Sequence, residues 1–309
     1  MSDAYHKASS RKPSSALIKH LLFPSTSPRL TPSNMATFLS TTSGLDKTLM
    51  LIQYPARIIV PLLLALARRS RNKDGRRLLS RFAQDLTNLS GSVSDARTMM
   101  RLLGEQCSLP SQIRTPADER SNSSWLDLLG IVAMLPSIPT LFHPTTSLLT
   151  SLQNLALIIY YPLENLSFLS SKGVFPLSPA RELRWSVWSC RAWMAYVALE
   201  FVALWERRNG LITRQKALEV QHRQSLQMEV KPADGSSMST TTPTSELELQ
   251  KDWVGWYEDA VSNLGYAPLT VHWSLYQGAW TNQAWTGLFG TVACVAGLRS
   301  KWRAMGGGA

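Results

Sequence analysis

The chain has 309 residues, of which 44% are hydrophobic and only 17% are charged, whereas ordinary globular proteins carry about 25% charged residues. This shortage of charge is typical of a protein that does not expose its whole surface to water. A net charge of +11 favours an anionic partner, either nucleic acid or an acidic membrane surface. Cys107, Cys190 and Cys294 are far apart, which argues against a disulfide scaffold and a four-thiolate metal site.

The positive charge is concentrated in the first part of the chain. Residues 1–125 contain 18 Lys and Arg against 8 Asp and Glu, whereas the remaining residues contain 14 against 13. The first 42 residues hold Ser, Thr, Pro and scattered cations without a long apolar run, so they are predicted to form a disordered arm. Seven cations follow within one short segment and are opposed only by Asp74: Arg68, Arg69, Arg71, Lys73, Arg76, Arg77 and Arg81.

An all-α, membrane-associated helical bundle is predicted, because almost no stretch of the chain alternates with period two. A helical region over residues 43–206 precedes a flexible linker over 207–250, and a hydrophobic helical segment occupies 251–309. The first long helix is expected to begin near Ser43, since Ser43 and Asp46 have the spacing of a capping box. Pro55 and Pro61 are expected to kink or break this helix.

The next predicted helix begins after Gly75, ends near Leu103 and is amphipathic. Its apolar residues form one stripe about 120° wide. Such a stripe usually packs on other helices, but seven cations at a helix start are unfavourable for the helix dipole. An anionic lipid surface would stabilise these cations by about 1 kcal/mol each. The predicted membrane-binding residues are therefore the seven cations together with Leu78, Leu79, Phe82, Leu86 and Leu89.

Two long stretches lack Asp, Glu, Lys and Arg. They cover residues 128–163, which is 36 residues, and residues 260–298, which is 39 residues. A membrane-spanning helix needs about 20 predominantly apolar residues, but Pro136, Pro139 and Pro144 interrupt the first stretch. The stretches are therefore either true spans or helices that are half inserted or buried in protein. The 11 tryptophans fit either a membrane interface or a helical core.

No motif of catalysis or cofactor binding occurs in the sequence. Glycine-rich phosphate loops, a Gly-x-Ser-x-Gly elbow and histidine pairs at metal-ligand spacing are all missing. We expect the lone His272, beside Trp273, to be packed rather than catalytic. Basic residues without a recognition fold are a weak indication of nucleic-acid binding. The sequence therefore predicts a protein that is not an enzyme, with no cofactor, no metal and no nucleic-acid partner.

Three stretches resemble the peroxin 11 family in a divergent, fungal-like form. The first is GLDKTLMLIQY at residues 44–54, followed by Arg57. The second is LSGSVSDAR at residues 89–97, continuing to RLLG at 101–104. The third is HWS at residues 272–274, followed by the hydrophobic segment 287–298 and Lys301. A weaker similarity covers residues 155–173.

The resemblance implies a peroxisomal membrane protein that remodels and elongates the membrane and promotes peroxisome fission and proliferation. In that family an amphipathic helix inserts into the cytosolic leaflet, and the protein self-associates. A dynamin-like fission GTPase and its membrane adaptor are the implied partners, besides anionic lipid. The resemblance also implies the absence of catalytic residues.

Small residues on the last apolar helix form a predicted homo-oligomerisation face. They are Gly287, Gly290, Ala293 and Gly297, and small residues let helices approach closely in lipid. The same residues would equally permit close packing within one chain.

Two alternative functions remain open from the sequence. A peroxisomal channel or metabolite pore could be lined by Arg191 and Glu200. A mitochondrial or endoplasmic-reticulum helical adaptor is the other alternative, because the acid-poor arm resembles a transit peptide.

Overall fold

The computed structural model describes residues 31–102, 147–229 and 243–306. Within these ranges the chain forms seven helices and no strand, which confirms the all-α prediction. The helices are α1 (Pro32–Ser40), α2 (Thr42–Arg69), α3 (Lys73–Leu102), α4 (Leu148–Ser171), α5 (Pro179–Glu229), α6 (Pro243–Trp273) and α7 (Gln283–Gly306).

The six long helices pack side by side in the order α3, α2, α7, α6, α5, α4. Neighbours run antiparallel: for example, Arg97 near the end of α3 contacts Asp46 near the start of α2. The two outer helices, α3 and α4, touch each other lightly. They are joined by a bidentate ion pair between Arg101 and Glu164, at 3.1 and 2.9 Å. The six long helices therefore form a closed ring in which the contact between α3 and α4 is the smallest.

Helix α2 differs from its prediction at its N-cap, and it is not broken at its two prolines. Its N-cap is Thr41, whose side chain accepts a hydrogen bond from the Gly44 N–H at 3.1 Å, so the predicted Ser43 and Asp46 capping box does not form. The helix also continues through Pro55 and Pro61. Because α2 is packed between α3 and α7, tertiary contacts outweigh the hydrogen bonds that the two prolines remove.

The flexible linker predicted over residues 207–250 is helical wherever the structure describes it. Helix α5 continues to Glu229, and α6 begins at Pro243. Arg207 and Arg214 of α5 form ion pairs with Asp259 and Asp252 of α6, at 2.9 and 2.6 Å. These contacts between antiparallel helices explain why a charged segment stays helical. Most of the Ser- and Thr-rich run, at residues 230–242, lies outside the described residues.

The arm predicted over residues 1–42 also contains a helix, because α1 occupies Pro32–Ser40. Phe38 of this helix is buried and meets Trp302 of α7 edge-on, with 5.2 Å between the ring centroids. Residues 1–30 lie outside the described part of the chain.

The core is formed where α2, α6 and α7 meet. Met50, Tyr54, Leu269 and Cys294 are its buried members. Around them pack partly buried aromatic side chains: Tyr266, Trp273, Trp280 and Phe289. Trp273 and Trp280 therefore pack against the core, which is one of the two roles that the sequence allowed for tryptophan.

Two helices are long and apolar enough to cross a membrane, judged by length and composition alone. They are Thr42–Arg69 and the Pro179–Gln224 part of α5. Neither coincides with the charge-free stretches predicted from the sequence. Residues 260–298 are divided by the turn between α6 and α7, so each helix receives only part of that stretch. Residues 128–146 lie outside the described residues.

Candidate membrane interface

The corner between α2 and α3 carries the predicted basic cluster. Asn72 closes the turn, because its Oδ1 accepts a hydrogen bond from the Asp74 N–H at 3.0 Å and its C=O accepts one from the Arg76 N–H at 3.0 Å. None of the seven cations forms an ion pair within the described residues. All seven are exposed: Arg68, Arg69, Arg71, Lys73, Arg76, Arg77 and Arg81.

Large apolar side chains lie beside these cations and are also exposed. Leu62 and Leu66 of α2 are 59% and 55% exposed, and Leu78 and Phe82 of α3 are 69% and 54% exposed. We call the seven cations and these four apolar residues the hairpin tip. Exposed apolar groups next to cations match a membrane interface, where the charges meet headgroups and the apolar groups enter the acyl region.

The apolar stripe predicted for α3 is divided between two surroundings. Leu79 and Leu86 are half-buried and lie on the face that also carries the buried Val93. Leu78, Phe82 and Leu89 remain exposed. Of the five apolar residues predicted to bind membrane, three are thus on the surface, while Leu79 and Leu86 lie on the side of α3 that packs on α2.

A buried polar network holds α3 against α2. Arg97 donates from Nε to Asp46 Oδ1 and from a terminal nitrogen to Gln53 Oε1, both at 2.7 Å. Ser90 Oγ donates to the backbone carbonyl of Gln53 at 3.2 Å. Arg97 also lies 5.9 Å from the centre of the Tyr54 ring. All five residues are buried, so the network fixes which face of α3 is turned towards α2.

The predicted oligomerisation face lies inside the chain. A Cβ added to Gly290 would lie 2.1 Å from Tyr54 Cδ1, and one added to Gly287 would lie 2.7 Å from Ile58 Cγ1. Ala293 is fully buried, and Gly297 faces Lys47. The structure therefore assigns these residues to packing against α2 and within the core. Self-association through this face stays a prediction, and it would require α7 to leave α2.

His272 stabilises the turn between α6 and α7. Its Nδ1 accepts a hydrogen bond from the Ala279 N–H at 2.9 Å, and its ring stacks on Trp280 with 4.2 Å between centroids. Gly278 has a φ of +69° and lies against the imidazole, where a Cβ would clash. Burial, and next the charge of Arg57, lower the pKa of His272. His272 is therefore packed in the turn, as the sequence led us to expect.

The two residues considered as a channel lining are engaged with neighbouring helices. Arg191 Nε donates to the backbone carbonyl of Ser274 at 3.2 Å. Its guanidinium also lies 5.0 Å from the centre of the Trp188 ring. Glu200 accepts a hydrogen bond from Gln153 at 3.0 Å. Both side chains thus contribute to helix packing.

The three stretches that carry the family resemblance meet in the structure, because Arg97 contacts Asp46 and Gly290 contacts Tyr54. Residues 131–302, more than half of the chain, match the family model of Peroxisomal biogenesis factor 11 (PEX11). The chain belongs to the PEX11 family. The matched range contains the third stretch and the weaker similarity at 155–173, and the first two stretches precede it. No curated protein and no solved structure matches the chain.

Membership of the PEX11 family assigns the chain to the peroxisomal membrane and to peroxisome proliferation. The family consists of biogenesis factors and is not a family of enzymes. Among the described residues, no group of His, Cys, Asp and Glu side chains is placed to hold a metal ion.

Sequence reasoning missed Leu62 and Leu66 as part of the candidate interface. Their position in the last turns of α2, shortly before the cations, could have indicated that they belong to the same surface.

Proposed function

We propose that this PEX11-family chain elongates the peroxisomal membrane and promotes its fission by inserting the hairpin tip into one leaflet. The observation that carries the proposal is the exposure of seven cations beside Leu62, Leu66, Leu78 and Phe82 at one corner of the bundle. Each cation near anionic headgroups contributes about 1 kcal/mol, so the cluster binds strongly while the apolar side chains enter the leaflet.

Insertion into one leaflet explains elongation. Side chains that enter between the headgroups expand that leaflet relative to the other, and the membrane bends to relieve the difference. Several copies acting together would extend the curved region into a tubule, and the resulting neck is the substrate for a dynamin-like fission GTPase recruited with its membrane adaptor. Self-association and fission partners are the parts of this mechanism that rest on family membership.

A vesicle experiment tests the tip directly. The purified full chain is reconstituted with vesicles that contain or lack anionic phospholipid, and binding and vesicle shape are recorded at low and high salt. We expect binding and tubule formation with anionic lipid, weakened by salt because surface charges are screened. The double variant Leu78→Glu, Phe82→Glu should lose tubule formation, and because both side chains are mostly exposed we expect this variant to fold.

The matched control is Val220→Glu, Leu247→Glu, whose side chains are 52% and 48% exposed on α5 and α6, away from the tip. This control should bind and deform vesicles like the unmodified chain. If vesicle deformation were unchanged by high salt and by the tip variant, the hairpin tip would not be the membrane-active element. In cells that lack the chain, the tip variant should also fail to restore peroxisome number and shape.

A further inference from the structure

A cavity of about 470 Å³ lies between the first turns of α5 and the turn that joins α6 to α7. This volume is in the range of small-molecule sites, about 300–1,000 Å³. Apolar side chains, among them the buried Val187 of α5, form part of its lining. Polar side chains also line it: Ser186, His272, Gln277, Thr281 and Gln283. None of the described residues that line it is Asp, Glu, Lys or Arg, so the cavity offers neutral hydrogen-bonding groups beside an apolar surface.

His272 contributes a buried donor to this cavity. The residue is only 8% exposed, and its Nδ1 accepts hydrogen bonds from the backbone N–H groups of Ala279 and Trp280, at 2.9 and 3.4 Å. Because Nδ1 is an acceptor, the imidazole carries its hydrogen on Nε2. No described residue accepts a hydrogen bond from Nε2. A buried donor without an acceptor is unfavourable, so a ligand with an acceptor oxygen would be held here.

The chemistry of the lining selects among possible ligands. The other polar lining residues form no side-chain hydrogen bond within the described part of the chain: Ser186, Gln277, Thr281 and Gln283. A carboxylate or a phosphate inside the cavity would lack the cation that buried anions require. A sterol has a single hydroxyl group and would leave most of the lining groups without a partner. A polyol fits better, because it has several hydroxyl groups and each can both donate and accept a hydrogen bond.

The cavity lies at the same end of the bundle as the hairpin tip. A Cβ added to Gly287 of α7 would lie 2.7 Å from Ile58 Cγ1 of α2, and the two helices are antiparallel. Gln283, about one turn before Gly287, is therefore level with Leu62 of the tip. In the proposed function the tip lies among the lipid headgroups. The inference rests on the proposed function for this placement, which brings the mouth of the cavity to headgroup depth.

We propose that this cavity binds a polyol, and that in the membrane its ligand is the inositol headgroup of a phospholipid. The headgroup is held by hydrogen bonds with His272 Nε2 and with the lining hydroxyl and amide groups, while Val187 and Trp273 contact its apolar face. A free polyol has the same chemistry, and the experiment distinguishes the two sources. Binding at this site makes the chain select one anionic lipid among several of equal charge, which the cations of the hairpin tip cannot do.

Lipid retention by the full chain tests this selection. The purified chain is immobilised in detergent micelles that contain equal amounts of phosphatidylinositol and phosphatidylserine, and the retained lipids are quantified by mass spectrometry. Both lipids have the same net charge, so the hairpin tip binds them alike. We expect phosphatidylinositol to be enriched by about tenfold through the hydrogen bonds of the cavity. Equal retention of the two lipids would overturn the proposal.

Uncharged substitutions locate the selection in the cavity. The double variant Gln277→Leu, Thr281→Val removes polar groups from two exposed side chains of the lining and should abolish the enrichment. Ser186→Ala, on the α5 wall, should reduce it. The matched control Gln215→Leu, Thr213→Val makes the same changes at exposed positions on a later part of α5 and should retain the enrichment. Loss of enrichment in the control, or full enrichment in both cavity variants, would contradict the assignment.

Alkylation of Cys190, which lines the cavity, gives a measurement that leaves the polar lining unchanged. In a background with Cys107→Ser and Cys294→Ala, a thiol reagent should modify Cys190 more slowly in micelles with phosphatidylinositol than in micelles with phosphatidylserine. Equal rates would show that the lipid does not enter the cavity, and the proposal would fail.

Free inositol distinguishes the two sources of the polyol. If free inositol releases the retained phosphatidylinositol, the cavity binds the polyol alone. If the lipid stays bound, its attachment to the rest of the phospholipid contributes to binding at the same cavity. Vesicle deformation is recorded in parallel. Absent enrichment with normal deformation rejects only this inference, whereas no deformation by the unmodified chain rejects the proposed function.

Discussion

Replacement of Arg97 should destabilise the bundle more than the loss of any surface ion pair. Arg97→Met removes the guanidinium that binds both Asp46 and Gln53 at 2.7 Å. The carboxylate of Asp46, whose side chain is only 5% exposed, would then lose its main partner. The consequence is an uncompensated charge between α2 and α3, rather than the simple loss of one contact.

The expected magnitude follows from this burial. Breaking a buried ion pair by removing one partner costs about 3–5 kcal/mol. Lys47 Nζ lies 3.8 Å from the other carboxylate oxygen of Asp46 and compensates in part, so we expect a loss of about 3 kcal/mol. The double variant Asp46→Asn, Arg97→Met should be no less stable than Arg97→Met, because the unpaired charge is then absent.

The assay is the free energy of unfolding of the purified chain in detergent micelles, measured with a denaturant. The matched control is Lys172→Gln, which removes the exposed pair with Asp95, whose side chains are 45% and 55% exposed. It should cost under about 1 kcal/mol. Equal losses for Arg97→Met and Lys172→Gln would refute the view that the buried network fixes α3 on α2.

Three further predictions concern the core, a turn and a buried amide. Gly290→Leu should lower the free energy of unfolding by about 3 kcal/mol, because the new Cβ would lie 2.1 Å from the buried Tyr54 ring. The control Gly210→Ala lies in open space on α5, and it should raise the free energy of unfolding by about 0.5–1 kcal/mol. The pKa of His272 is lowered in the folded state. The stability that His272 contributes is therefore complete above its usual pKa of about 6.5 and is lost as the pH falls through the folded value. Thermal melts at several pH values should show that the melting temperature falls more steeply with acid for the unmodified chain than for His272→Asn, and identical slopes would contradict this. Asn154 is fully buried, and within the described residues neither its amide nitrogen nor its amide oxygen has a hydrogen-bond partner. Asn154→Leu should therefore raise the melting temperature through a gain of about 1 kcal/mol, and a fall in the melting temperature would contradict this expectation.

Some features could be predicted from local patterns alone. The helical fold, the limits of α3 within a few residues and the cationic corner follow from hydrophobic periodicity and from charge runs, which are properties of neighbouring residues. The family resemblance was also visible in short stretches, and the family match confirms it. Local patterns failed where long-range contacts outweighed them, as in the continuation of α5 past Arg207 through its pairing with α6.

Hydrophobic periodicity by itself determined that α3 has an apolar stripe, and composition by itself determined where the cations lie. Only the tertiary structure decided which edge of that stripe is available, because the position of Arg97 against Asp46 turns Leu79 and Leu86 towards α2 and leaves Leu78 and Phe82 outside. It likewise decided that Gly290 accommodates Tyr54 of the same chain. A sequence pattern specifies how polar a face is, whereas the choice of what covers that face depends on distant residues brought together by folding.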